Sequence, residues 1–357
     1  GRVARARAAV LRDVLQGTAE LRFAAKANRT PAVLEALRPA LDGLDVTSLG
    51  ELQAGLQAGY PAGSIGLSGP AKDVALLARA VEVGATVAVG SVTEGRRLAS
   101  IAPGVRVLLR INPRERIHAF RTTTAGGAGP FGIPEEEAAE ALGVLTEAGL
   151  RPVGLHVHRG SQCTSVSALE RHVVSVLALA EQLAAQGLGL DCVNLGGGLG
   201  VARGDMPVLA AHSLGRRTAR LLRAFGQTHP SAGFVLEPGR WIAGPAGVLL
   251  LRVIDRRAVR GTQFAVLDGG MDAFLFAVDA FRSGPVYPVT NLSRPGAPTE
   301  EVTLVGPACT SMDRICTVVL PRPEEGDLVC IGQAGAYAAG ASLTGFLGRR
   351  SPPTVVL

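Results

Sequence analysis

Over the first two thirds of the chain, short β-rich apolar runs alternate with stretches in which apolar residues recur every three or four positions. The runs Leu21–Lys26, Leu44–Ser48, Ile65–Gly69, Val87–Ser91, Val105–Ile111, Val153–His158, Cys192–Leu195 and Phe234–Glu237 read as buried strands. Between them lie helical patterns: Pro31–Arg38 behind Thr30 as a cap, Glu51–Ala58, Asp73–Val83, Thr93–Ala99, Glu135–Ala148, Ala168–Gln186 and Pro207–Gln227. An amphipathic helix is already under way at the start, which is Gly1 and not Met, so a short piece is expected to precede this sequence. Strand-then-helix repeated about eight times predicts an α/β fold closed into a (β/α)8 barrel. A doubly wound open sheet is the competing arrangement, and eight units favour closure.

After Gly244-Pro245 the pattern changes. Val248–Ile254, Phe264–Leu267, Val286–Val289, Glu301–Val305, Ile315–Leu320 and Asp327–Ile331 read as strands joined by loops. The expected organisation is a barrel over residues 1–245 and a C-terminal all-β domain over 246–357.

Composition narrows the picture. With 47% hydrophobic and 18% charged residues the chain is not disordered, and no apolar run approaches the roughly 20 residues of a membrane helix. The net charge of +6 raises nucleic acid as a partner. The arginines are scattered singly or as doublets such as Arg216–Arg217 and Arg349–Arg350, with no interleaved aromatics, so that class is set aside. Five cysteines (Cys163, Cys192, Cys309, Cys316, Cys330) form no CxxC pair, which excludes a zinc ribbon and argues against a disulfide framework. A cytoplasmic location is the expectation. Of 36 basic residues only Lys26 and Lys72 are lysines.

In such a barrel the chemistry collects at the C-terminal ends of the strands. The first strand ends in Lys26. A lysine there can snorkel outward, but one kept in an arginine-rich background meets the need for an amine that can lose its proton, as Schiff-base chemistry requires. The sixth ends His156-Val157-His158-Arg159-Gly160-Ser161. The two histidines share a face, so metal is considered, but no third ligand is evident and none is expected. The seventh runs into Gly196-Gly197-Gly198, a phosphate cradle or simply a turn. The eighth ends Glu237-Pro238-Gly239-Arg240, a carboxylate and a guanidinium beside that loop, with a rim salt bridge as the plain alternative. Together these groups describe a cofactor with an aldehyde, a phosphate and a ring nitrogen, and pyridoxal 5′-phosphate (PLP) has all three.

The segments FAAKAN (Phe23–Asn28), HVHRGSQ (His156–Gln162), NLGGGLG (Asn194–Gly200), EPGR (Glu237–Arg240), GPACTSMDRI (Gly306–Ile315) and GAY (Gly335–Tyr337) resemble, in order and spacing, the fold-type III PLP-dependent decarboxylases. These are the ornithine, arginine and diaminopimelate decarboxylases related to alanine racemase. The resemblance implies that Lys26 forms the imine, that His158 stacks on the cofactor ring and that Glu237 keeps the ring nitrogen protonated. It also implies that Ser161, Gly196, Gly197, Gly198, Pro238, Gly239, Arg240 and Tyr337 hold the cofactor, chiefly its phosphate. Cys309, from the partner subunit of a homodimer, would protonate the substrate carbon once CO₂ leaves, the plain alternative being a buried small hydrophobe. Arg240, Asp268, Phe276, Thr310, Asp313 and Tyr337 fall on the substrate side.

The chain departs from the diaminopimelate pattern where that branch has an arginine and a tyrosine shortly after D-x-G-M. Here the stretch is Met271–Val278, with Phe276 at the arginine's place, and Thr310 stands where Glu follows the cysteine. Both changes remove groups that would grip the far end of diaminopimelate. The GPAK and GPxCT variants look like the branch found in specialised pathways, whose small amino-acid substrate is often joined to a carrier or another molecule. A decarboxylase of free diaminopimelate or ornithine type, a PLP racemase or epimerase, and an inactive binding relative are the alternatives.

Overall fold

The computed structural model describes residues 1–350 and 352–357. It divides into two compact units, Gly1–Gly200 with Val208–Ile242, and Val201–Pro207 with Ala243–Leu357.

Among the described residues, eight strands of the first unit run parallel: β1 (Glu20–Ala24), β2 (Gly43–Val46), β3 (Ile65–Leu67), β4 (Thr86–Val89), β5 (Arg106–Asn112), β6 (Arg151–His156), β7 (Cys192–Asn194) and β8 (Gly233–Leu236). Each pairs with its neighbours in sequence, and β8 pairs back onto β1 (Glu20 opposite Val235), so the sheet closes into the expected barrel. The strands are apolar on both faces because the interior is packed with side chains and helices cover the outside. Leu21, Phe23, Leu44, Ile65, Leu67 and Leu109 have essentially no exposed surface.

The helices are α1 (Arg2–Leu15), α2 (Pro31–Leu37), α3 (Leu49–Gln57), α4 (Val74–Val83), α5 (Val92–Ile101), α6 (Ala138–Glu147), α7 (Val166–Ala184) and α8 (Ala211–Thr228). Several are started by side-chain caps. Ser48 and Ser91 accept from the amides of Glu51 and Glu94, while those glutamates accept from the amides of Thr47 and Gly90, which satisfies orphan donors at the helix starts. Thr30 stands at the cap of α2, but its side chain makes no cap hydrogen bond; Pro31 at the first helical position sets the start instead. Helix α8 begins at Ala211, not at Pro207; Val201–Pro207 belongs with the second unit and 208–210 are not helical.

In the second unit, β9 (Leu249–Val259), β10 (Thr262–Leu267), β11 (Val289–Asn291), β12 (Thr299–Val305), β13 (Arg314–Pro321) and β14 (Leu328–Ile331) form a sheet in the order β11-β14-β9-β10-β12-β13. Neighbours are antiparallel except β10 and β12. Leu251, Val253, Leu267, Phe274, Leu304 and Val329 make its core. The strand expected at Val286–Val289 pairs only from Val289 onward. Tyr287 is buried for packing against Phe274, with ring centroids 4.7 Å apart, so its apolar signal comes from the core and not from a ladder.

Helices α1 and α8 pack closely because Gly215 has no side chain; a Cβ there would lie 2.1 Å from Val14 Cγ2. Gly215→Ala gains up to about 1 kcal/mol in helix propensity, but overpacking costs about 1–3 kcal/mol. The net expectation is a loss of stability, read as a lower urea midpoint; a raised midpoint would contradict the close packing.

Candidate active site

The chain after β1 turns through a single 3-10 turn, Ala25–Ala27, that carries Lys26 at the barrel's C-terminal mouth. Its Nζ lies 3.3 Å from Asp45 Oδ2 in β2, so the side chain turns onto a carboxylate and is 32% exposed, whereas Asp45 is 1% exposed. Ser68 donates to Asp45 Oδ1 at 2.7 Å. Burial pushes the Asp45 carboxyl up, the negative Glu237 pushes the same way, and Lys26 and His156 offset part of it.

Glu237 follows β8 and is buried. Its Oε1 accepts from Asn194 Nδ2, at the end of β7, at 2.6 Å, and its Oε2 lies 3.2 Å from His156 Nε2, at the end of β6. Burial alone would raise this carboxyl. His156, Lys26 and the Asn194 hydrogen bond outweigh it and hold Glu237 well below the usual carboxylate range. Neither ring nitrogen of His156 has an aligned hydrogen-bond partner among the described residues. His158 Nδ1 accepts from the Gly197 amide at 3.2 Å, so in the neutral ring the proton sits on Nε2. Burial, helped by Lys26, pushes His158 well below its ordinary value and keeps it neutral.

The glycine loop threads between these groups. Gly196 and Gly198 adopt left-handed φ values of 62° and 104°. A Cβ on Gly197 would sit 2.2 Å from the Glu237 carbonyl oxygen, and one on Gly198 2.6 Å from the Phe120 ring, so only glycine lets the backbone come this close. A Cβ on Gly239, after Pro238, would lie 3.0 Å from Ala24 Cβ and 3.1 Å from Ala27 Cβ, a closer fit than ordinary contact. Arg240 Nε donates to Ser161 Oγ at 3.4 Å. Beneath the loop, buried His172 bonds to the Leu195 carbonyl through Nε2 at 2.8 Å, while its Nδ1 accepts from Arg159 at 3.1 Å. Burial lowers His172 to about 4, with the Leu195 bond opposing and Arg159 reinforcing.

The barrel thus brings Lys26, His158, Ser161, Gly196, Gly197, Gly198, Glu237, Pro238, Gly239 and Arg240 to the loops after four of its strands. These residues fit PLP: an amine, a backbone cradle that no Cβ could enter, and a buried carboxylate held as the anion beside His156. The rim salt bridge considered for Glu237 gives way to its pairing with His156 and Asn194.

The remaining candidates lie in the second unit. Phe276, in a 3-10 turn at Leu275–Ala277, meets Tyr337 edge-to-face with centroids 6.4 Å apart. Tyr337 has a left-handed φ of 58°. Cys309 is exposed, so the buried-hydrophobe alternative does not hold. Burial raises the other four thiols. Two aspartates expected on the substrate side also hold backbone. Asp313 is buried, and its oxygens accept from the amides of Met271 (2.7 Å) and Ala308 (2.9 Å), pinning the loop that bears Cys309. Asp268 Oδ1 accepts from the Arg252 amide at 2.8 Å. Thr310 Oγ1 accepts from the Met312 amide at 3.3 Å.

Sequence reasoning missed Asp45, Ser68 and Arg110, the last buried in β5 and depressed by desolvation despite Asp45 and Glu237. The signal was available: a charged residue inside an otherwise apolar strand. Lys72 is wholly buried against Glu94 at 3.0 Å and Gly69 O at 2.5 Å. No three His, Cys, Asp or Glu converge as metal ligands among the described residues, nor is any helix long and apolar enough to cross a membrane.

Residues 2–244 match the model of the family described as pyridoxal-dependent decarboxylase, pyridoxal binding domain. The chain is 35% identical to diaminopimelate decarboxylase of Deinococcus radiodurans over 95% of this chain and 84% of that one. It is 29% identical to the decarboxylase of L-glutamyl-BtrI acyl-carrier protein from Niallia circulans, over 87% of this chain and 76% of that one. Among solved structures, diaminopimelate decarboxylase of Helicobacter pylori complexed with L-lysine superposes with a TM-score of 0.83 at 25% identity, covering 93% of this chain and 86% of that one.

His172 makes stability depend on pH. Its folded pKa, about 4, lies below the unfolded value of 6.5. Its contribution is therefore complete above pH 6.5 and is lost as pH falls towards 4, because only the unfolded chain takes up the proton. Between pH 7.5 and 5 the loss is about 2 kcal/mol. His172→Gln is expected to shrink the pH dependence of urea unfolding by about that much; an unchanged dependence would remove His172 as its source.

Proposed function

The chain belongs to the pyridoxal-dependent decarboxylases and is a PLP-dependent amino-acid carboxy-lyase, and from that premise we propose that its substrate is an amino acid attached to a carrier or another molecule. The observation that carries this reading is the apolar pair Phe276–Tyr337, with Phe276 at the place where the diaminopimelate branch has an arginine. A site built to grip a charged amino-acid terminus leaves buried polar groups unpaired when that terminus is missing; an apolar wall accepts a linker instead. The likeness to a relative named for an acyl-carrier-bound glutamyl substrate supports the same reading.

PLP, when bound, supplies an electron sink for the carbon that loses CO₂. Lys26 would be its covalent anchor, the amine positioned by Asp45. Glu237, kept anionic by Asn194 and His156, would hold a proton on the ring nitrogen. Neutral His158, oriented by the Gly197 amide, would contact the cofactor ring. The Gly196–Gly198 backbone, Ser161, Pro238-Gly239 and Arg240 would cradle the phosphate. By resemblance Arg240 and Thr310 would fall on the substrate side, while Asp268 and Asp313 hold backbone of the second unit. Cys309 returns a proton to the substrate carbon from the partner subunit, so the working enzyme is a homodimer with shared sites.

Lys26→Ala is expected to abolish the absorbance of covalently held PLP and at least 10³-fold of the activity, on the order of the effect of losing a covalent catalyst. Retention of covalently bound cofactor in that variant would overturn the anchor assignment. Mixing Lys26→Ala subunits with Cys309→Ala subunits is expected to restore about a quarter of wild-type activity, since random exchange leaves one intact site in half of the dimers. No restoration would sink the shared site. For the substrate, CO₂ release is measured from free diaminopimelate, lysine, ornithine and glutamate, and from L-glutamate thioesterified to pantetheine or to a carrier protein. The thioesters are expected to win; equal turnover of a free amino acid overturns the proposal.

A further inference from the structure

Resting on the carrier-linked reading above, we infer that the paired helices α1 and α8 form a docking face for an acidic carrier protein that presents its substrate to the barrel mouth. Helix α1 carries four arginines (Arg2, Arg5, Arg7, Arg12) and one acid, Asp13; α8 carries four (Arg216, Arg217, Arg220, Arg223) and none. All but Arg7 are exposed. The two helices pack side by side through Gly215 and Val14, so their arginines share one surface.

Helix stability does not explain this charge. Neither helix has an acid in its first turn, where the dipole favours one, and only Arg12 lies in a last turn, where a cation is favoured. Arg2 and Arg5, Arg216 and Arg220, and Arg220 and Arg223 repel across three or four positions. Local pairing accounts for part of the set: Arg12 with Asp42 at 3.0 Å, Arg217 with Glu170 at 2.6 Å, and Arg223 with Gln16. Arg2, Arg5 and Arg216 have no acidic partner among the described residues.

The face also lies beside the site. The Arg7 guanidinium stacks 3.9 Å from the centroid of Trp241 and donates to its carbonyl. Trp241 follows Arg240, which bonds to Ser161. Leu11 and Leu15 of α1 and Leu214 and Thr218 of α8 line one small apolar gap with Leu199 of the glycine loop and Pro238. A partner with negative helices would be steered there by charge, while a tethered substrate reaches the mouth.

The test uses the PLP-loaded enzyme, an acyl carrier protein charged with L-glutamate, and the pantetheine thioester of L-glutamate. In the triple variant R2E/R5E/R216E the expectation is a KM at least tenfold higher for the carrier substrate. The same variant should keep kcat, the small-thioester kinetics and the melting temperature. Fluorescence anisotropy should show carrier binding weakened by a similar factor, and weakened in the wild type by raising salt from 50 to 200 mM. The control R96E, on exposed α5, should change nothing. Unchanged carrier binding in the triple variant, an equal loss in R96E, or tighter binding of duplex DNA or phosphatidylglycerol vesicles than of the carrier would each overturn the face. Turnover of carrier-bound glutamate with an unchanged KM in the triple variant sinks the face and leaves the substrate reading standing. Arginine-dependent carrier binding without turnover of either thioester sinks the substrate reading and leaves the face.

Discussion

The buried negative charge of Glu237 is the constraint on which the rest of the site depends. An ionised carboxylate removed from water costs several kcal/mol unless its oxygens are met by well-placed partners. Here the partners come from the two preceding strands, Asn194 ending β7 and His156 ending β6. The anion is therefore stable only while the barrel holds those strands in register. The same field sorts the neighbours: Asp45 is pushed up and His158 is kept neutral, while Glu237 stays charged. Two carboxylates near one lysine thus differ in proton affinity by environment alone, the arrangement that acid–base chemistry at neutral pH requires.

The strands of the barrel were legible because burial on both faces leaves an apolar run with a sharp polar end, and each expected run overlaps the observed strand. The motif residues were legible for the same reason, since Lys26, His158 and Glu237 stand just past those ends. What sequence could not supply was adjacency around the ring. Asp45 and Arg110 sit inside strands as single charged residues with no diagnostic spacing, and only closure turns them towards Lys26 and Glu237. Pro207–Ala210 carried helical periodicity but lies ahead of helix α8, which begins at Ala211. In the second unit Val286 and Tyr287 carry a strand's composition but serve the core.

Asp313 and Asp268 carry structural work that the motifs do not announce. Both stand in segments that resemble a substrate site, yet both spend carboxylate oxygens on backbone amides. An aspartate of this kind shapes the loop it sits in. Gly270 and Gly306 fit the same picture: a Cβ on either would lie 2.2 Å from an Asp313 oxygen, so the loop bearing Cys309 is moulded around one buried carboxyl group.

The scarcity of lysine has a consequence for how this protein meets its chemical surroundings. A surface whose cations are almost all guanidinium groups offers very little to electrophiles that seek primary amines. Of the two lysines, Lys72 has no exposed side-chain surface and is locked to Glu94, while Lys26 is reachable at the mouth of the barrel. Aldehydes, activated esters and acetyl donors thus find one accessible lysine amine in the folded chain, and it is the one held against Asp45. Lysine-directed labelling of this molecule would report on the occupancy of a single position.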